Sequence, residues 1–323
     1  MRTFNFILLV TTLAASLIFS GCVQEQGKVF YVNSYHEGYS SSDDVMQGIK
    51  ETLSGSGVEL EIFFMDTKRN PGENYIKQKA QEAVDAILTY EPDVIIASDD
   101  NAVKYVVEPH FKNGPIPVVF CGVNWSASQY GLPTDNVTGM LEVLPVQQTV
   151  NALRNYYPDA STLTVLSENT TSERNNKEIL DPVYQELCLT PTYSLVDNFS
   201  EWETAFRNAN ENSDLIFFVT NGAIQNWDDQ TARDFIAEHI RVPVFTCDDF
   251  MMEFAVFGMT KIAQEQGEWA AETALEIIDG RDPGEIPLTK NSQVEMYLNE
   301  TLADIIDFNP GADLREDAQI ISW

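Results

Sequence analysis

The sequence predicts an α/β protein with two similar lobes, each a parallel sheet covered by helices. Short β-rich runs alternate with amphipathic helical stretches along the 323 residues, which is typical of parallel sheets with helices on both faces. The pattern occurs twice, and the length suits about two domains. DVIIASDDNAV followed by GPIPVVFCGVN parallels DLIFFVTNGAI followed by RVPVFTCDD, so the same strand, polar turn and Pro-bearing strand recur in both halves.

The first half begins with a buried strand and an amphipathic helix. Val45, Ile49 and Leu53 are spaced by four, as on one face of a helix. Strands are predicted at Lys28–Ser34, Val58–Met65, Asp93–Ala97 and Ile116–Cys121, helices at Asp43–Leu53, Tyr75–Leu88 and Ala102–Val107, and the segment Asn136–Leu141 follows.

The second half repeats the alternation and then ends in a tail. Strands are predicted at Thr162–Leu166, Thr192–Val196, Asp214–Val219 and Val242–Thr246, with helices at Gln147–Tyr156, Glu173–Leu187, Trp202–Ala209, Thr231–His239 and Gln264–Ile278. The short segments Ile286–Thr289 and Val294–Leu298 cannot bury a core alone, so we expect the tail to pack back on both lobes. Several crossings between the lobes then form a hinge.

The first residues read as an export signal. A basic start and a short apolar run precede Ser20-Gly21-Cys22, the pattern of a secretory signal. This ending resembles a lipobox, so we expect lipidation at Cys22 and anchoring to a membrane; an ordinary cleaved signal is the alternative. We predict a signal at residues 1–21, a tether at 22–27, a first lobe at 28–143 and 250–290, and a second lobe at 144–249 and 291–323.

The charge limits the classes of partner. Fifty Asp and Glu residues against 19 Lys and Arg give a formal charge of −31, which argues against nucleic acid and against docking on an anionic membrane surface. Basic residues are scarce near the predicted strand ends. A zwitterion, a neutral ring or a cation is therefore favoured over a multiply anionic ligand, and the remaining acidity reads as solvated surface.

The predicted strand ends indicate where a ligand binds. Ligands of open parallel sheets lie beyond the carboxyl ends of the strands, and two facing lobes place a cleft there. The candidate binding residues are Ser34, Tyr35, His36, Tyr39, Ser98, Asp99, Asp100, Asn101, Asn124, Trp125, Thr220, Asn221 and Asp248. Ser, Asp and Asn at such positions also serve as helix N-caps, and the aromatic residues also suit a core, so these alternatives stay open.

Signals for catalysis and metal binding are weak. The chain lacks GxSxG, Walker A, GxGxxG and HExxH motifs, and His36 beside Glu37 is the only candidate acid–base pair. Acidic pairs such as Asp248-Asp249 suit a hard cation, but the loop pattern of a calcium site is absent. Cys121, Cys188 and Cys247 lack CxxC spacing. We therefore expect no metal or cofactor, and we expect Cys121 and Cys247 to be small core residues, with a disulfide between them as the alternative.

Three segments carry a family resemblance: VNSYHEGYSSSDDVMQGI, DVIIASDDNAVKYVV with PVVFCGVNW, and AQEQGEWAAETALEIIDGRDPGEIP. They resemble the substrate-binding lipoproteins of ABC transporters, in an uncharacterised subgroup with the type I periplasmic binding fold. The similarity covers about Lys28–Pro310. It implies two Rossmann-like lobes, three crossings near Glu142–Pro145, Asp248–Phe254 and Thr289–Val294, and closure of the lobes on a ligand. Some members look specific for aromatic amino acids, and related domains serve as sensors of histidine kinases.

We therefore expect a non-enzymatic, extracytoplasmic, lipid-anchored monomer. Its ligand would be an amino acid or a similar zwitterionic or aromatic metabolite, delivered to the permease of an ABC importer. A ligand-sensing accessory of a membrane signalling receptor is the first alternative, and an extracytoplasmic enzyme using His36 is the second.

Overall fold

The computed structural model describes residues 27–323, with the side chains of Thr171, Ser172 and Asn175 excepted. The expected signal and the expected lipidation site, Cys22, lie outside the described residues. None of the helices within 27–323 combines the length and the apolar character needed to cross a bilayer.

Strands and helices alternate along most of the chain. The first half comprises β1 (Lys28–Asn33), α1 (Ser40–Leu53), β2 (Glu59–Phe64), α2 (Glu73–Tyr90), β3 (Val94–Ser98), α3 (Asp99–Ala102) with a π-helical continuation (Val103–Phe111), β4 (Val118–Asn124) and β5 (Val137–Glu142). The middle comprises α4 (Val146–Arg154), β6 (Thr162–Glu168), α5 (Thr171–Glu186), β7 (Thr190–Val196), α6 (Phe199–Asn212), β8 (Leu215–Phe218), α7 (Asp229–His239) and β9 (Val244–Thr246). The last part comprises β10 (Phe257–Lys261), α8 (Ala263–Ile278), β11 (Thr289–Lys290), β12 (Val294–Asn299), α9 (Glu300–Ile305), α10 (Ala312–Asp317) and β13 (Ala318–Ile321).

The strands form two sheets, which define the two lobes. The first sheet has the order β11-β5-β4-β3-β1-β2 and the second β13-β12-β10-β9-β8-β6-β7. All neighbours are parallel except β10 and β12, which are antiparallel. The predicted α/β class with two mostly parallel sheets is confirmed.

Both faces of the first sheet are covered, as the alternation along β1 requires. Val29 and Tyr31 pack with residues of α1 and α8, and Phe30 and Val32 pack with residues of α2. Successive side chains of a strand point to opposite faces, so helices must lie on both sides. The second lobe has a core of its own, centred on the fully buried Trp202.

The chain crosses between the sheets three times, at 143–145, at residue 262 and at 291–293. The second crossing corrects our expectation. We placed it near Asp248–Phe254 and assigned residues 250–290 to the first lobe, but β10 (257–261) belongs to the second sheet. The chain therefore returns to the first lobe only at α8, because β10 is held between β9 and the antiparallel β12.

Hydrogen bonds join the crossings to one another. Asn291 in the third crossing accepts a hydrogen bond from the Val143 N–H (2.7 Å) and donates one to the Val143 carbonyl (3.2 Å). The Glu265 carboxylate, at the start of α8, accepts bonds from the backbone N–H groups of Ser292 and Gln293 at 2.8–2.9 Å. The three segments therefore form one hydrogen-bonded hinge.

Two glycines allow α1 and α8 to approach closely. A Cβ atom at Gly267 would lie 1.9 Å from the Val45 carbonyl oxygen, and one at Gly48 would lie 2.4 Å from the Gln264 carbonyl oxygen. No side chain fits at such distances. Helix α8, which follows the second crossing, is thus fixed to the helix whose N-terminus opens towards the space between the lobes.

Candidate ligand-binding cleft

A cavity of about 700 Å³ lies between the two lobes and above the hinge. Its first wall comes from the loop after β1, the start of α1 and the ends of β3 and β4. Its second wall comes from the segment after β9 and from β12. The floor is formed by residues of the first and second crossings. Residues of both lobes and of the segments that join them therefore line the same cavity.

Two tyrosines form the aromatic part of the first wall. The rings of Tyr35 and Tyr39 contact edge to face, with centroids 4.9 Å apart. The loop that carries them is anchored because the Tyr35 N–H donates to the Asn33 side chain at 2.9 Å. Tyr39 is also the N-cap residue of α1 and supplies no side-chain cap, so Ser40 and Ser41 present an uncapped helix start to the cleft.

Asp99 lies at the base of this wall, directly after β3. Its φ of +69° is in the left-handed region, which Asp tolerates better than most residues. Burial, followed by the negative charges of Glu142 and Asp100, raises the pKa of Asp99 well above its usual value, against a hydrogen bond from Tyr35 that lowers it. The first wall therefore holds a carboxyl group whose ionised form a nearby cation would stabilise.

The floor contains an ion pair between the two crossings. Glu142, the last residue of β5, pairs with the ammonium of Lys261, the last residue of β10. The second Glu142 oxygen accepts a hydrogen bond from Gln266 at 2.8 Å, and the Gln266 amide oxygen accepts the Gly122 N–H at 2.5 Å. Burial lowers the pKa of Lys261, but the opposing attraction of Glu142, with Asp248 and Asp99, raises it on balance. Lys261 is therefore protonated, and its ammonium is paired with Glu142.

The second wall combines carboxylates with two aromatic rings, of which Phe250 is exposed and Tyr297 is partly buried. Phe250 lies in the cleft lining with 59% of its surface exposed. Tyr297 donates a hydrogen bond to Glu295 at 2.6 Å. Burial raises the pKa of Asp248 to about 6; the Lys261 charge opposes this shift, and Glu142 and Asp249 add to it.

Of the residues predicted from the sequence, five line this cleft. They are Tyr35, Tyr39, Asp99, Asn124 and Asp248. They come from both lobes, and the structure brings them together because all lie beyond the ends of β1, β3, β4 and β9.

Four other predicted residues hold the first wall together. The Ser34 hydroxyl donates to the Ser98 carbonyl at 2.6 Å and accepts the Ala102 N–H at 2.9 Å, so Ser34 rather than Ser98 caps the helical segment. The Ser98 hydroxyl instead bonds to the Tyr31 hydroxyl.

Asp100 and Asn101 likewise bond to neighbours instead of lining the cavity. Asp100 accepts hydrogen bonds from the Asn124 side chain at 2.9 Å and from the Tyr130 hydroxyl at 2.6 Å. The Asn101 amide donates to the Thr67 hydroxyl at 2.9 Å. These bonds orient Asn124, which does line the cleft.

The remaining predicted residues lie away from the cavity lining. His36 lies 3.5 Å from Asp66, and Trp125 packs against the core of the second lobe. Thr220 and Asn221 follow β8, which is separated from β10 by β9. Since the cavity forms at β9, β10 and β12, the loop after β8 does not reach it.

Several residues of the cleft lining are not among those predicted from the sequence. Glu142 and Lys261 end strands that pass into the hinge, and Lys261 belongs to a strand that was not predicted. The sequence places Phe250 in an expected crossing and Tyr297 in a short segment of the tail of the second lobe, and neither position follows a strand end of the predicted parallel sheets. A signal was present in the exposed-looking Asp-Asp-Phe run at 248–250, where an apolar ring directly follows two carboxylates.

The structure also bears on disulfide formation and on metal binding. Cys121, Cys188 and Cys247 are all free thiols, so the alternative of a Cys121–Cys247 disulfide is wrong. Within residues 27–323, no group of three or more His, Cys, Asp or Glu side chains is placed to hold a metal ion.

The chain is similar in sequence to a known protein family and to a curated relative. A family model described as ABC transporter substrate binding protein matches residues 36–309. A tyrosine-binding protein of Clostridioides difficile (strain R20291) is 23% identical over 180 residues, which cover 54% of this chain and 51% of the relative. The match therefore spans about half the length of that relative.

Two solved structures share the fold over most of the chain. The ligand-free, open structure of a substrate-binding protein with adhesive properties from Clostridium difficile has a TM-score of 0.73 at 13% identity, with 92% of this chain and 99% of the other covered. An ABC domain in complex with L-Trp from Streptococcus pneumonia has a TM-score of 0.61 at 15% identity, with 92% and 100% covered. At these identities the likeness shows the fold alone.

Proposed function

The chain belongs to the ABC transporter substrate-binding protein family, and on this premise we propose that it captures a small aromatic ligand bearing a protonated amine and delivers it to an ABC importer. The relatives named for tyrosine and in complex with L-Trp support an aromatic ligand class. Aromatic amino acids and closely related metabolites are the compounds that combine such a ring with an amine.

One observation carries this proposal: aromatic rings and carboxylates face the same cavity from both lobes. Tyr35 and Tyr39 lie on the first wall and Phe250 on the second, and Asp99 and Asp248 are divided between the walls in the same way. A flat ring gains from offset or edge-to-face contacts with such side chains. An ammonium group gains from charge-assisted hydrogen bonds to carboxylates.

The exposure of Phe250 supports a closing movement. A phenyl ring with 59% of its surface exposed keeps apolar area in water, and covering that area is favourable at about 25 cal/mol per Å². If the lobes close about the hinge, a bound aromatic ring becomes enclosed between Phe250 and the two tyrosines. The ligand then stabilises the closed form, because only that form contacts it on both sides.

The expected signal and Cys22 complete the proposal. A lipid-anchored protein on the outer side of the membrane is placed to hand its ligand to a permease. Two acyl chains on one cysteine suffice for stable anchoring. Mass spectrometry of the protein isolated from membranes tests this part, since a diacylated N-terminal Cys22 is expected.

The ligand class is tested by thermal shift and calorimetry with purified protein. Phenylalanine, tyrosine, tryptophan and their decarboxylated amines form the expected set, and leucine, ribose and citrate form the comparison set. A ligand at 100 times its Kd stabilises the protein by about 2.7 kcal/mol, which a melting curve resolves. The proposal fails if none of the aromatic compounds binds.

A further inference from the structure

We propose that this cleft selects a ligand with net positive charge, namely an aromatic amine without a free carboxylate, over the corresponding zwitterionic amino acid. This inference rests on the proposed function and narrows the chemistry of the same site. It concerns the group that the charges of the cleft disfavour: a ligand carboxylate.

The charges of the cleft lining are strongly unbalanced. Six carboxylate side chains and a single basic side chain, Lys261, line the cavity. The carboxylates are Asp44, Asp99, Glu142, Asp248, Asp249 and Glu295. In a partly desolvated space, a further carboxylate from the ligand would be repelled by several of these groups at once.

The Lys261 ammonium already has an ion-pair partner within the protein. It is paired with Glu142, and Gln266 holds the other Glu142 oxygen in place at 2.8 Å. Asp248 and Asp99 also act on the Lys261 charge. A ligand carboxylate would have to share Lys261 with Glu142 or displace it, and it would then lie close to the negative charge of Glu142.

The N-terminus of α1 is also a poor binding site for a ligand carboxylate. Helix N-termini attract carboxylates through their free N–H groups and the helix dipole. Here two acidic residues lie in or beside the first turn. The Asp43 carboxylate accepts the Gly38 N–H at 2.9 Å and 3.2 Å, and Asp44 lines the cleft. Their negative charges offset the positive helix end that a ligand carboxylate would need.

The Asp248 side chain is a separate indication of a cationic ligand. It is largely buried and borders the cavity. No hydrogen bond or ion pair to its carboxylate occurs within the described part of the chain. A carboxylate that is partly removed from water and accepts no hydrogen bond from the protein is destabilised, and a ligand ammonium supplies both the charge and the donors. The acidic residues of the cleft lining therefore form a site that favours a cation, and they are more than a solvated acidic surface.

One other cation lies near the first wall. The Lys68 ammonium is 5.4 Å from the centroid of the Tyr35 ring and 5.1 Å from that of Tyr39. Lys68 is exposed and is outside the cavity lining. A Lys68→Ala variant therefore reveals whether a ligand carboxylate is held from outside the cleft.

The test compares three compounds for each ring. For the hydroxyphenyl ring they are tyramine, tyrosine and 3-(4-hydroxyphenyl)propionate, which carry the amine alone, both groups, and the carboxylate alone. The indole and phenyl series are built in the same way. Calorimetry should show the amine binding about tenfold or more tightly than the amino acid, with the propionate not binding. Lys68→Ala should leave this order unchanged.

Salt dependence gives a second readout on the unmodified protein. Raising the ionic strength from about 0.01 M to 0.1 M shortens the Debye length from about 30 Å to 10 Å. The affinity for the amine should fall over this range, whereas that for a zwitterion should change little. An Asp248→Asn variant should weaken the amine about tenfold or more, and Asp159→Asn, an exposed change in the second lobe, should not.

The outcomes separate the inference from the proposed function. If an amino acid binds as tightly as its amine, or if Lys68→Ala selectively weakens the amino acid, the charge preference is wrong and the aromatic binding function stands. If no compound of the three series binds, both are wrong. A tighter amine with salt-dependent affinity supports both.

Discussion

The carboxylate of Glu142 and the ammonium of Lys261 form an ion pair that joins the last residue of β5, in the first sheet, to the last residue of β10, in the second. The ion pair therefore joins the chain at the start of the first crossing to the chain at the start of the second crossing. It lies in the floor of the cleft, where any relative rotation of the lobes changes its surroundings.

We expect Glu142→Gln to lower the free energy of unfolding by about 1–3 kcal/mol, because it removes one partner of a largely buried charge pair. Glu253→Gln is the matched control, since it breaks the Arg233–Glu253 pair within the second lobe, where Glu253 is 46% exposed. This change should cost about 0–1 kcal/mol. Urea unfolding measures both values, and equal losses would contradict a special role of the hinge pair.

Phe250→Ala should weaken an aromatic ligand about tenfold or more, because the ring that covers it is removed. The free energy of unfolding without ligand should change by less than about 0.5 kcal/mol, since the ring is largely exposed. Leu88→Ala is the control, because Leu88 is also 59% exposed but lies outside the cleft. Calorimetry should show no loss for Leu88→Ala, and equal losses would count against the cleft.

Asp248→Asn should stabilise the ligand-free protein at neutral pH. The pKa of Asp248 is raised from 3.8 to about 6, so ionisation in the folded state costs free energy that grows as the pH rises from about 4 to 6. The variant should gain about 1–3 kcal/mol at pH 7.5, and the gain should shrink as the pH falls towards 4. Urea unfolding of both proteins across this range, with Asp159→Asn as control, measures the difference. A gain independent of pH would contradict the assignment.

The same ionisation predicts how ligand affinity responds to pH. Protonation of Asp248 below about pH 6 removes the negative charge that attracts an amine. The affinity for an amine-bearing ligand should therefore fall as the pH decreases through 6. In Asp248→Asn this dependence should be reduced, and calorimetry at several pH values compares the two proteins.

Gly267→Ala should destabilise the protein by about 2–4 kcal/mol, because its Cβ would overlap the Val45 carbonyl. The better helix propensity of alanine recovers only about 1 kcal/mol. Gly72→Ala is the control, since a Cβ there meets no atom within 4 Å. Chemical denaturation should show little change for Gly72→Ala. Tolerance of both changes would mean that the two helices are less tightly packed.

Much of the fold can be predicted from the sequence because its strands are apolar runs bounded by polar turns. The run DVIIA, for example, predicts β3 (94–98) within one residue at each end. Strand β10 was missed because Phe257–Lys261 contains a glycine, a methionine, a threonine and a lysine and has no repeated apolar pattern. Its place depends on antiparallel pairing with β12, a long-range interaction that local sequence does not report.

The candidate site was predicted in part for the same reason. Strand-end residues such as Tyr35 and Asp99 follow from the rule that ligands bind beyond parallel strand ends. The rule does not say which strand ends meet across the cleft, so Thr220 was included although β8 lies too far from the cavity. Glu142 and Lys261 depend on where the chain crosses between sheets, which only the structure shows.

The glycine contact between α1 and α8 also bears on how the chain folds. Residues 40–53 are separated from 263–278 by the whole second sheet, apart from β12 and β13. Most strands of the first lobe are synthesised early, but the apolar side of α1 at Val45 and Ile49 is only partly covered until α8 exists. Contacts of such long sequence separation form slowly. The first lobe is therefore expected to complete its folding only after α8 has been made, and an incomplete chain ending before residue 263 should expose that surface and aggregate.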